Sequence, residues 1–188
     1  MSSATTTAAP RADLTTWEID AAHSSVHFSI RHMMVSNVRG EFTRVAGNVR
    51  VDPRDITRST IEAVIDAASI STRDEKRDEH LRSADFLDVA NYPTIEFKST
   101  RLTRDAGGSL KLAGNLTIHG VTHEVVLDVE DAGTEVQDPW GNTKRGASAT
   151  TRLNRRDFGL QWNVALETGG ILVGDELKVE IDVELLKK

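Results

Sequence analysis

From Trp17 onward, apolar and polar residues alternate with a period of two, the period of a strand whose successive side chains leave opposite faces. The last run is the clearest: Leu177, Val179, Ile181, Val183 and Leu185 alternate with Lys178, Glu180, Asp182 and Glu184. Val26, Phe28 and Ile30 share a face against His27, Ser29 and Arg31, as do Ile95, Phe97 and Ser99 against Glu96, Lys98 and Thr100. Leu110, Leu112, Gly114, Leu116 and Ile118 form another such face, with shorter versions at Ile61, Ala63 and Ile65 and at Val125, Leu127 and Val129. The Thr- and Ala-rich stretch from Ala147 to Leu153 suits an extended strand. Turn residues separate the runs: Asp105-Ala106-Gly107-Gly108, His119-Gly120, Asp138-Pro139-Trp140-Gly141-Asn142 and Gly174-Asp175. Short links favour sequential antiparallel pairing, so the pattern predicts about eight strands in a meander.

One long interruption, from Ser69 to Pro93, reads differently. Thr72 followed by Glu75 has the spacing of a capping box, and Asp74 and Glu75 suit the positive end of a helix. Lys76 to Leu81 continue the helix and Arg82 sits near its carboxyl end, with a second helical turn expected from Ser83 to Leu87. A smaller helical piece is expected from Asn154 to Phe158. The fold class is therefore all-β and antiparallel, with one short helical insertion.

Eight antiparallel strands must protect their edges, and closure into a barrel removes them altogether. A barrel of that size is either filled by its own side chains or holds one small ligand. Aromatic residues are only 5% of the chain, and many inward positions are Val, Ile, Leu, Ala, Gly or Ser. Such walls are compatible with an aliphatic lumen, although a filled core has the same pattern. An aliphatic lumen selects for apolar shape, with each ligand methylene contributing about 0.8 kcal/mol.

Composition narrows the choices further. A chain of 188 residues suits one domain. Lys+Arg 23 against Asp+Glu 29 gives a net charge of −6, which offers nucleic acid no electrostatic attraction. Cysteine is absent, excluding disulfides, thiolate catalysis and Cys-ligated metal. No apolar run is long enough for a transmembrane helix. Residues 1–14 are rich in Ser, Thr and Ala and lack the basic start and apolar run of a secretory leader. They are expected to form a flexible tail on a cytoplasmic protein, with residues 15–188 as the domain.

Several ordered motifs then resemble the YceI-like family. His23-Ser24, the run from Val26 to His32 and Val38-Arg39-Gly40-Glu41-Phe42 are similar to its opening. The stretch from Arg77 to Phe86, continuing into Tyr92-Pro93 and Ile95-Glu96-Phe97, resembles its most specific segment. Gly114 to Thr122 is similar to its later hairpin and Asp157-Phe158-Gly159-Leu160 to its penultimate loop. The resemblance implies an eight-stranded lipocalin-like barrel that holds a long-chain isoprenoid lipid, of polyprenyl or quinone type, without chemistry on it and without a cofactor. It also implies a homodimer, as many relatives form. Many relatives are exported, and the missing leader departs from that pattern. Strand parity combined with the family fold gives an expected lining of Phe28, Ile30, Phe42, Ile65, Phe86, Ile95, Phe97, Leu116 and Ile118. His32, Arg39 and Tyr92 are the expected head-end groups.

The remaining candidates are weighed against plainer roles. His119 and His123 straddle a glycine turn, so a helical metal pair is unavailable, and His23, His27 and His32 have no acidic partner placed by spacing. No metal site is expected. Arg77-Asp78-Glu79-His80 has acid–base residue types, but a solvated helix face explains it as well. A third reading makes this insertion a lid, with Leu81, Phe86 and Tyr92 on the barrel mouth. No nucleophile elbow, phosphate loop or dinucleotide fingerprint occurs. Two rivals stay open: an enzyme using the barrel as a chamber, which needs a titratable pair facing the lumen, and an interaction protein with a filled barrel. Trp162 is expected to pack at the barrel end, and Trp140 to lie in a turn.

Overall fold

The period-two segments become strands, and every pairing between them is antiparallel. The computed structural model describes residues 14–167 and 169–188, so the expected tail lies outside the described residues apart from Leu14. The strands are β1 (Thr15–Ile19), β2 (Ser25–His32), β3 (Ser36–Phe42), β4 (Val45–Val51), β5 (Thr60–Asp66) and β6 (Ile70–Ser71). After the helix α1 (Glu75–Arg82) come β7 (Thr94–Arg104), β8 (Leu110–Ile118), β9 (Val121–Asp131), β10 (Val136–Gln137), β11 (Thr143–Asn154) and β12 (Val173–Lys187). Pairing runs β11-β9-β8-β7-β5-β4-β1-β12, and β12 then pairs back onto β11 from Lys144↔Leu186 to Asn154↔Glu176. That closes an eight-stranded antiparallel barrel, as expected.

Closure is not a simple meander. β12 is 15 residues long, and β1 covers it only at residues 185–187. The β2–β3 hairpin leaves the ring and covers the rest of that edge, pairing Ile30↔Leu177 through Ser25↔Asp182. An uncovered edge would present unpaired backbone groups, and the hairpin removes most of that liability. Three sequence readings need correction here. Gly174-Asp175 is not a turn but lies inside β12, beside a register shift between Val173 and Leu177. The cap of α1 is Asp74, whose carboxylate accepts the Arg77 N–H, whereas Thr72 donates its N–H and hydroxyl to Asp78 at 2.8 and 2.6 Å. Ser83 to Leu87 is a turn rather than helix, and the expected piece near Asn154 is a 3-10 turn at Arg155–Phe158.

Other local readings hold. His119 and Gly120, with φ of 52° and 73°, make the two-residue link between β8 and β9. Asp138 closes the β10–β11 link by accepting the N–H groups of Trp140 and Asn142, each at 2.9 Å. At the end of the barrel marked by the carboxyl terminus of β12, Trp17 is fully buried and donates its indole N–H to Thr15. At the opposite end, Ala67, Ile70, Leu87 and Ile95 form a cluster with Leu81, Leu116, Ile118 and Leu160 packed on it. The insertion therefore covers one barrel end through apolar contact.

Candidate functional site: a covered apolar lumen

The inward faces of the strands surround a cavity of about 460 Å³, within the range of ligand sites. Val179, Ile181, Val183 and Leu185 of β12 line it, as do Leu110, Leu112, Leu116 and Ile118 of β8. One wall change is not periodic: a bulge between Ser99 and Arg101 lets both Phe97 and Leu102 face inward despite their opposite parity. Phe97 lies across Gly114, where an added Cβ would sit 2.4 Å from its ring. The glycine thus gives the ring its place on the wall.

The lid contributes Leu81, Phe86 and Leu87 to the cavity wall. His80 stands edge-on to Phe86 and to Trp162, with ring centroids 5.1 and 4.7 Å apart, and Phe86 lies 5.1 Å from Trp162. The imidazole also bonds Asp85 through Nε2 at 2.8 Å. Asp78 is buried and holds Thr72, and Arg77 donates to the Thr72 hydroxyl and carbonyl. Arg82 donates to the Ala68 and Ile70 carbonyls. The charged face of α1 is thus largely a set of latches that fasten the insertion to its neighbouring strands.

Ten of the twelve residues expected at the site do line the cavity: Phe28 and Ile30, with His32, on β2; Phe42 on β3; Ile65 on β5; Phe86 in the lid; Ile95 and Phe97 on β7; Leu116 and Ile118 on β8. Two do not. Arg39 falls between the inward Val38 and Gly40, so strand alternation turns it outward, and it is exposed. Tyr92 is also outside: its ring packs 4.5 Å from His119 and against Gly120, because the Asp88 turn and Pro93 carry it over the β8–β9 link. Gly120 has a φ of 73° and no room for a Cβ beneath that ring, so glycine is required there twice over.

Sequence reasoning missed the cationic part of the wall. Arg31, Arg77, Arg145 and Arg155 all line the cavity, while no Asp or Glu among the described residues does. Arg155 is buried, donates to the carbonyls of Leu160, Trp162 and Gly174, and pairs with Asp175 at 3.1 Å. Burial pushes its pKa down while Asp175 pushes it up, and the guanidinium stays charged. Its work is to tie the segment after the 3-10 turn to β12. The local Arg152, Arg155 and Arg156 patch likewise consists of paired groups, with Arg152 on Glu176 and Arg156 on Asp175. No spacing rule finds Arg155, because its partners lie up to 20 residues away.

A second group of side chains meets outside the lumen. Asp20, His23 and Glu184 converge closely enough to offer three metal ligands. Lys144 already stands among them, 2.6 Å from Glu184 and 3.5 Å from Asp20, and supplies the positive charge that a cation would. Its pKa is raised chiefly by the Glu184 hydrogen bond, and that of Asp20 is lowered chiefly by His23. This is an ion-pair network at the barrel's far end. His27 finds Glu41 at 3.8 Å, another acidic partner that spacing did not place.

With this geometry in hand, the chain can be set beside known proteins. The YceI-like domain family matches residues 17–185. A UPF0312 protein of Staphylococcus aureus strain N315 is 37% identical over 171 residues, covering 91% of this chain and 97% of its own. Another from Vibrio cholerae is 39% identical over 140 residues, covering 74% of each chain. Among solved structures, a Campylobacter jejuni YCEI protein is similar with a TM-score of 0.69 and 28% identity over 85% of this chain and 90% of that one. A polyisoprenoid binding domain from Saccharophagus degradans, implicated in plant cell wall breakdown, is similar in fold, with a TM-score of 0.65 and 13% identity over 92% of this chain and 98% of that one.

Proposed function

This chain belongs to the YceI-like domain family, and on that premise we propose that its barrel binds a long-chain isoprenoid lipid, of polyprenyl or quinone type, and carries or sequesters it without chemistry. The carrying observation is the lumen itself: about 460 Å³ of apolar space with no carboxylate on its wall among the described residues. The binding named for the similarly folded Saccharophagus degradans domain supports the same reading. A fifteen-carbon farnesyl chain removed from water gains about 12 kcal/mol gross. Lost translational and chain freedom takes back several kcal/mol, which leaves room for roughly micromolar binding. The neutral or polar head sits toward the lid, near His32 and His80. The site requires no cofactor, and assembly as a homodimer is part of the proposal.

One observation favours a second reading. His80 lines the lumen and bonds Asp85, which supplies half of the lumen-facing titratable pair that a reaction chamber requires, since Asp85 itself lies off the wall. Its edge-on contacts with Phe86 and Trp162 fit a lid pillar better, and the nearby Ser83 hydroxyl is spent on the His80 carbonyl. Farnesol titration followed by tryptophan emission tests the proposal, with Trp162 on the cavity wall as reporter and Trp17 and Trp140 off it. Saturable change that Trp162→Phe abolishes, with farnesol recovered intact by mass spectrometry, is expected. Unaltered emission together with a bare chain in native mass spectrometry overturns carriage, and chemically altered farnesol moves the assignment to catalysis.

A further inference from the structure

The tip of the β2–β3 hairpin is built against its own backbone preference. Met33 and Met34 have φ of 49° and 61°, and the Val35 N–H donates to the His32 carbonyl at 3.1 Å, the bond of a tight two-residue turn. Such primed turns favour Asn-Gly because both central residues need positive φ, and bulky side chains there are strained. The side chains so displayed are apolar and exposed: Met33 at 45%, Met34 at 55% and Val35 at 76%. Val164, exposed at 47%, belongs to the same surface. The Met33 N–H donates to the Leu172 carbonyl at 2.7 Å, and the Leu172 N–H donates to the Val164 carbonyl at 2.9 Å. Met34 also lies against Gly170.

This apolar tip is continuous with the lumen. Arg31, His32, Leu172 and Val173, the residues that carry it, are themselves cavity wall. Arg31 donates to the Met34 carbonyl at 2.9 Å, so a cation stands at the base of the tip. Apolar side chains projecting past a basic residue are the arrangement of an interfacial anchor, with hydrocarbon below and head groups at the charge. A water-insoluble cargo exchanges only against another hydrocarbon phase. We propose that Met33, Met34, Val35 and Val164 dock this end of the barrel on a lipid bilayer, where cargo passes between the membrane and the lumen. This rests on the isoprenoid-carrier reading.

The turn supplies its own test. Met33→Asn with Met34→Gly puts the favoured residues into the turn, so the variant should melt at or above the wild-type temperature while losing the apolar tip. Flotation with phosphatidylcholine vesicles containing about one quarter phosphatidylglycerol reads docking, and farnesol titration in solution reads the lumen. Expected are wild-type flotation, a drop of roughly tenfold or more in vesicle partitioning for the double variant, a smaller drop for Val164→Ser, and unchanged farnesol affinity for both. Equal flotation of variant and wild type overturns the proposal. So does a wild type that binds farnesol but ignores vesicles, or one that sediments as a dimer which the double variant dissolves. Tip-dependent flotation without farnesol binding keeps docking and sinks the carrier reading instead.

Discussion

Ala149→Phe tests whether the barrel is hollow in the sense that matters. Ala149 sits midway along β11, opposite Val129 on one side and Ile181 on the other, and its side chain reaches the cavity. The substitution adds a six-carbon ring to a wall that faces about 460 Å³ of apolar space. In a filled core, such overpacking destabilises by about 1–3 kcal/mol. In vacant apolar space the ring is instead withdrawn from water, a gain of up to about 1.5–3 kcal/mol. At roughly 2–4 °C per kcal/mol for a chain of this size, the two cases differ in the sign of the melting shift. Ligand binding moves the other way: six displaced carbons at about 0.8 kcal/mol each remove up to about 5 kcal/mol, more than a thousandfold in affinity if the ligand cannot slide aside. Delipidated wild type and variant would be melted by calorimetry and titrated with farnesol. A melting temperature several degrees lower with undiminished farnesol affinity would refute the reasoning, because the lumen would then be neither vacant nor the site.

Phe97→Arg puts a charge on a wall that offers it no carboxylate and should abolish farnesol binding, whereas Lys98→Ala, on the outer face, removes only a solvent-screened pair with Glu62 and should leave binding unchanged; equal loss in both would mean the inner face is misassigned. Asp78→Ala leaves the buried Thr72 N–H without its acceptor and should destabilise by about 2–3 kcal/mol in urea denaturation, with Asp78→Asn losing less. The Asp138 carboxyl is held below 3.8, first by the Asn142 side chain and then by the loop N–H groups. A depressed carboxylate contributes stability above its unfolded pKa and loses it as pH falls through the folded value, so urea midpoints should drop below about pH 4. Asp138→Asn should flatten that drop; an identical acid profile would show that the loop does not report on folding.

How much was readable in advance follows from which forces are local. Phe28, Ile30, Ile95, Leu116 and Ile118 declare their common face through alternation, and all five stand on the lumen wall. Arg39 obeys the same rule in the other direction: its neighbours Val38 and Gly40 face in, so alternation turns it out. Leu102 shows the opposite limit, since a bulge that the sequence does not announce reverses parity in the middle of β7. Buried Arg155 pairs with the half-buried Asp175, a contact that no spacing predicts.

The sequence by itself determined the longer strands, most of their faces, the helical insertion and the aliphatic character of the interior, because a two-residue period and turn chemistry act between near neighbours. Only the tertiary structure decided that β12 closes on β11, that the β2–β3 hairpin covers the free edge of β12, and that the lid and Trp162 meet at one end of a cavity. Those outcomes depend on contacts between residues far beyond the reach of a local pattern, from Lys144↔Leu186 and Phe86 against Trp162 to Ile30↔Leu177. The void itself is a property of no residue: it is the volume left when all the inward side chains, each placed by its own strand, fail to reach one another.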